Sequence, residues 1–223
     1  MQTMPDLGLR SGISHQSFGD FAIVLDLERD RYWRIGGGAP FALDWICGRK
    51  AGPLRPDPIE HLHRMGLVEK SANPIASQQS SLPPGVTSAI EWSGPPIRQR
   101  VADVIEVAAR LILARLSVRR RRLHRLTAAV SDTRAICRRA PAGDIGTLAR
   151  RFHGSRRLIP LADQCLPDTL AFLRFAQRRG HSARLVFGVV PTPFAAHCWA
   201  QSGDLILNDA LGHTRSFTPI LVI

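Results

Sequence analysis

The stretch "CLPDTLAFLRFAQRRG", Cys165–Gly180, decides the fold of the C-terminal half. Leu166, Leu170, Leu173 and Phe175 or Ala176 recur at helical spacing, Pro167 suits a first turn, and Gly180 supplies a stop. Three short apolar runs follow. "ARLVFGVV" (Ala183–Val190) reads as a buried strand, "AAHCWAQ" (Ala195–Gln201) as a second and "LILND" (Leu205–Asp209) as a third. The turn "SGD" (Ser202–Asp204) joins the last two. One helix followed by an antiparallel sheet predicts an α+β fold.

That layout carries a chemistry. Thiol catalysis needs a thiolate, a histidine that holds and returns the proton, and a group that orients the imidazole. A free cysteine, with a pKa near ~8.5, is mostly protonated at neutral pH, and a helix N-terminus favours its anion. Cys165 stands where the helix begins, and its own N–H could help hold an oxyanion. A hairpin through Ser202–Asp204 brings His197 beside Asn208 and Asp209, and strand alternation favours Asp209 as the orienting group. The same alternation sends His197 and Cys198 to opposite faces, so Cys198 reads as a small buried hydrophobe. His181 and His213 read as surface residues, and His153 has no evident partner. No Cys/His group has metal-site spacing, so no metal is expected.

Upstream, "NPIASQQSSLPPGVTS" (Asn73–Ser88) reads as linker. The predicted division is a module over residues 1–72, a linker over 73–92 and a larger domain over 93–223. In the first module, "FAIVLDLE" (Phe21–Glu28) and "RYWRI" (Arg31–Ile35) suggest a hairpin, and "PFALDWICG" (Pro40–Gly48) and "DPIEHLHRMGLV" (Asp57–Val68) suggest short helices. Asp57 is the expected N-cap of the second helix. A hairpin with small helices resembles a winged-helix arrangement.

The chain carries 28 Arg and 2 Lys, and its formal net charge is +12. Residues 1–92 hold 9 basic and 10 acidic groups, 93–160 hold 16 and 4, and 161–223 hold 5 and 4. The excess is therefore confined to the middle segment. There Val101, Val104, Ile105, Ala108, Leu111, Ile112 and Leu116 form a helical stripe running into the Arg-rich stretch 115–125. A solvated helix face explains that stretch, and an anionic partner is the alternative. Sparse aromatics and a neutral first module argue against nucleic acid. No run is long enough to span a bilayer, and the start lacks a secretory pattern, so a cytoplasmic protein is expected.

The segments "CLPDTLAFLRFAQRRG…ARLVFGVV…PFAAHCWAQ…GDLILND" resemble the leader peptidases of lasso peptide biosynthesis, the B proteins, within the transglutaminase-like, papain-like thiol enzymes. The resemblance spans about Leu161–Asp209. It implies Cys165 as nucleophile, His197 as base and acid, and Asp209 as orienter. It also implies that the first module is a precursor-recognition element that takes the leader as an added strand, with Tyr32, Trp33, Arg34, Ile35, Leu43 and Ile46 as peptide contacts. The implied partners are the precursor leader and an ATP-dependent macrolactam synthetase. No cofactor motif is present, no P-loop included, so any ATP dependence would come through that synthetase. Cys198 stands where the family commonly has Ala, and Gln201 where an acidic residue is common. Two other readings use the same features: a thiol acyltransferase with the same three residues, and a non-enzymatic, nucleic-acid-binding winged-helix protein using the Arg-rich helix.

Overall fold

The computed structural model describes residues 7–53, 55–70, 83–95, 97–136 and 143–223. The chain divides into two compact units, Met1–Ser80 and Ser81–Ile223.

In the first unit, β2 (Ile13–Phe18), β3 (Phe21–Asp26) and β4 (Arg31–Ile35) form an antiparallel meander, while β1 (Leu7–Leu9) pairs with β5 (Val68–Lys70). The expected hairpin is therefore the second half of a three-strand sheet, and this topology does not establish a winged helix. Asp26, wholly buried, ties the β3–β4 turn by accepting from the Glu28 and Arg29 N–H groups, and it pairs with Arg10 at 2.6 Å. Two short helices cover the sheet: α1 (Ala39–Ile46) and α2 (Pro56–Arg64). Pro56 suits the first turn, so α2 starts with Arg55 as N-cap and Asp57 inside the helix, two residues earlier than expected. Ala22, Val24, Ile35, Leu43, Ile46 and Leu62 are among the residues of the unit's core.

Ile35, Leu43 and Ile46 therefore pack their own unit. Three of the six residues named as peptide contacts are thus core residues. Tyr32 and Trp33 are half-buried and Arg34 is exposed, its guanidinium 3.9 Å from the centre of the Phe21 ring. Their strand, β4, is an edge of the meander.

The second unit holds a five-stranded sheet in the order β10-β7-β8-β9-β6. Its strands are β6 (Thr87–Ser88), β7 (Arg184–Pro191), β8 (Phe194–Ser202), β9 (Leu205–Ile206) and β10 (Thr218–Val222). The neighbours are antiparallel except β6 and β9, which run parallel. Residues 73–82 of the expected linker lie outside the described residues, but its end does not behave as linker: Ser88 pairs with Ile206, and Ala89 is buried.

The helices are α3 (Val101–Arg120), α4 (Leu123–Ile136), α5 (Ile145–Arg156), α6 (Cys165–Gln177) and the one-turn α7 (Leu211–Thr214). Helix α6 lies on β8 with α3 and α5 around it, which explains its apolar content: Leu170, Phe172, Leu173 and Phe175 are all buried. Phe152 of α5 meets Phe172 edge-on at 5.3 Å. The buried face of α3 is Asp103, Val107, Leu111 and Ala114; of the predicted stripe Leu111 lies on it, whereas Val101, Ile105, Ile112 and Leu116 are exposed. Apolar residues surround this helix, so composition does not select a face. Ion pairs do: Arg151 and Arg179, from α5 and the end of α6, both hold Asp103. The Arg run interrupts the helix, because Arg121 is extended, and Arg119–Arg122 are all exposed. No helix among the described residues is long and apolar enough to cross a membrane.

Candidate active site

Cys165 is the first residue of α6, so the unpaired N–H groups of that helix end and its positive dipole face the thiol. It is exposed and lines a cavity of about 770 Å³ together with Gln164, His197, Cys198, Asp209 and His213. Arg156 fixes the approach to it. That guanidinium is buried, donates to the carbonyls of Ile159, Leu161 and Ala162 and to Asp163, and pairs with Asp168 of α6 at 3.0 Å. Five acceptors on one side chain pin the segment that delivers Cys165. Nothing in the Arg-rich sequence marks this arginine out.

His197 projects from β8 opposite Gly188 of β7. A Cβ at Gly188 would come within 2.8 Å of the Trp199 ring and of the Phe217 Cβ, so only glycine lets these rings close around the imidazole. Trp199 stacks on His197 at 6.2 Å, and Phe217 lies 5.2 Å away. Trp199 is fixed in turn by its Nε1–H, which donates to Gln201 Oε1 at 3.0 Å.

Past Ile206 the backbone makes one more bond to β8, from Leu207 N–H to the Ala200 carbonyl at 2.9 Å, and side chains then take over. Ala200 N–H donates to Asn208 Oδ1 at 2.7 Å, and Asn208 Nδ2 donates to Thr169 Oγ1 of α6 at 2.8 Å. Asn208 therefore faces the helix, and Asp209 turns the other way. Its carbonyl accepts from Ser88 Oγ at 2.6 Å, which gives the short strand β6 its use. Its carboxylate meets His197 Nε2 directly. It also meets His213 Nδ1, at 3.1 and 3.2 Å to its two oxygens. His213 is exposed, as expected from the sequence, but its contact with Asp209 was missed; the spacing of four was the available signal. His181, also read as surface, is buried.

The three residues named for thiol chemistry are thus brought together, and their charges support one another. The Cys165 thiol is lowered to about 4, first by a hydrogen bond from the Cys198 thiol and then by His197, against the opposing effect of burial. Burial would lower His197, but Asp209 and the Cys165 sulfur outweigh it and raise the imidazole to about 9. Asp209 is held below the usual carboxylate range: His197, the Ala210 N–H and His213 overcome its burial. Between those limits the resting site is a thiolate–imidazolium pair backed by a carboxylate.

Cys198 requires a correction. It is buried as expected, at 2% exposure, but it is more than packing, because its thiol hydrogen-bonds the Cys165 sulfur. Contact with that thiolate, then burial, raises Cys198 well above an ordinary thiol. Strand alternation separates His197 from Cys198 along β8, but it does not keep both from reaching a third atom beside the strand.

His197, Asp209 and His213 also offer three donor atoms within 4.8 Å of one another, a group among the described residues that could hold a metal. The arrangement built by α6, β8 and the segment after β9 suits nucleophilic attack by sulfur on a carbonyl, with the imidazolium as proton donor.

A family model described as the transglutaminase-like superfamily matches residues 103–222, which include Cys165, His197 and Asp209. No curated protein and no solved structure is matched. The superfamily includes cysteine peptidases and acyltransferases. With more than half of its length matched, from α3 to β10, this chain belongs to the transglutaminase-like superfamily.

Proposed function

We propose that the chain is a cysteine peptidase that binds the leader of a ribosomally made, lasso-type precursor peptide and cleaves it from the core. The observation that carries the chemistry is the continuous contact from the Cys165 thiolate through His197 to Asp209. Cys165 Sγ attacks the scissile carbonyl, and the α6 N–H groups favour the oxyanion that forms. The His197 imidazolium gives its proton to the leaving amine. The neutral imidazole then takes a proton from water, which hydrolyses the thioester and frees the leader.

The choice of a lasso-type precursor is supported by the segments of Leu161–Asp209 and by a separate small unit in which β4 is the edge strand of its sheet among the described residues. An extended leader laid along β4 would gain backbone hydrogen bonds, with Tyr32, Trp33 and Arg34 as side-chain contacts. The partner that follows in this reading is an ATP-dependent macrolactam synthetase acting on the freed core, and any need for ATP resides there.

The test is incubation of the full chain in ¹⁸O-water with a precursor encoded beside its gene, read by mass spectrometry. Hydrolysis predicts free core and a leader whose new carboxylate carries one ¹⁸O. An amine conjugate without ¹⁸O would instead identify an acyltransferase using the same three residues. An intact precursor would remove the lasso assignment.

A further inference from the structure

The geometry points to Cys198 as a resolving thiol, which captures an oxidised Cys165 as an intramolecular disulfide and switches the site off reversibly. Both cysteines are free thiols here, line the same cavity and hydrogen-bond each other. Their exposures are opposite. Cys165 is open to solvent, so a dissolved hydroperoxide reaches it, whereas Cys198, at 2% exposure, is shielded. Thr169 Oγ1 donates to the Cys198 carbonyl at 3.3 Å, which ties this point of β8 to the first turns of α6. The packing of helix on strand thus keeps the two cysteines adjacent, and capture requires their sulfurs to close to the S–S length of about 2.0 Å.

The chemistry balances with a hydroperoxide as the two-electron oxidant. The Cys165 thiolate attacks the peroxide: an S–O bond forms, the O–O bond breaks, and the departing alkoxide takes the His197 proton and leaves as an alcohol. Cys165 is now a sulfenic acid. Cys198 then attacks that sulfur: the S–S bond forms, the S–O bond breaks, and hydroxide leaves with the Cys198 proton as water. The neutral His197 left by the first step stands ready to relay that proton. The same thiolate that makes Cys165 reactive makes it prone to over-oxidation, and a neighbouring thiol diverts that path to a bond that a dithiol can reduce.

The experiment is peptide mapping of the full chain after hydrogen peroxide, without reductant, which needs no substrate and so stands apart from the peptidase reading. The expected wild-type result is a cross-linked peptide pair containing Cys165 and Cys198, with the loss of two hydrogens, fully reversed by dithiothreitol. In Cys198→Ala and in Cys198→Ser, Cys165 should instead gain two oxygens as a sulfinic acid that dithiothreitol does not reverse. Wild-type Cys165 reaching the sulfinic acid without a Cys165–Cys198 link would overturn the proposal, as would a link to Cys47 or Cys137. The wild-type map decides the question even if a variant fails to fold.

Discussion

Replacing His197 by Gln removes the cation from the Cys165 thiolate while leaving the Cys198 hydrogen bond and the α6 terminus in place. In the wild type, a thiol lowered to about 4 is ~99% thiolate at pH 6, against ~0.3% for an ordinary cysteine with a pKa near ~8.5. Alkylation of Cys165 by iodoacetamide, followed by mass spectrometry from pH 3 to 10, should therefore rise with an inflection near 4 and then run on a plateau. A second, smaller step belongs near 9, where His197 loses its proton. In His197→Gln the acid inflection moves upward, toward but not beyond the ordinary value, and the upper step disappears. Below the new inflection each unit of displacement lowers the thiolate fraction roughly tenfold. The more basic thiolate is also more nucleophilic, with a Brønsted slope of about 0.4–0.5, so the observed rate falls only about threefold per unit. The position of the inflection, rather than the absolute rate, is thus the decisive quantity. An inflection that stays near 4 in the variant would show that His197 does not sustain the thiolate. A wild-type inflection near 8.5 would remove the ion pair altogether.

Other consequences follow from individual contacts. Gly188→Ala should push the Trp199 and Phe217 rings off His197, destabilise the fold by about 1–3 kcal/mol in thermal unfolding, and disturb the Cys165 alkylation profile; an unchanged profile would count against the packing role. Arg156→Gln leaves the half-buried Asp168 carboxylate without its cation, and urea denaturation should show a loss of about 3 kcal/mol, partly regained in the double variant with Asp168→Asn. In the first unit, burial and then Arg49 lower the wholly buried His15 to about 4. The unfolded chain therefore binds a proton between pH 6.5 and 4 that the folded unit refuses, so stability falls as pH drops through that window, by about 3 kcal/mol. Hydrogen exchange of β2 should report the fall in the wild type and a shallower one in His15→Asn.

The C-terminal helix and the β8–β9 hairpin were legible in the sequence because helical spacing, a glycine stop and a short turn all agree there, and tertiary contacts only reinforce them. The link between His197 and Asp209 followed from hairpin closure alone. Elsewhere the deciding interactions come from distant elements. The strand "ISHQSF" reads as polar because its buried His15 is held by Asp44, 29 residues away. Thr87–Ser88 reads as linker because its partner, β9, lies more than a hundred residues downstream. The α3 face was misread because apolar residues surround that helix, while arginines elsewhere in the chain bury Asp103. Alternation correctly separated His197 from Cys198, yet it says nothing about a sulfur at the end of a helix packed beside both.

The central claim is that Cys165 forms the covalent intermediate. The direct measurement is acid quenching of the full chain during turnover of the precursor, followed by intact mass and peptide mapping. The account predicts the leader half as a thioester on Cys165, and neither adduct nor cleavage in Cys165→Ala. An adduct on Cys198, or cleavage that survives in Cys165→Ala, would contradict it.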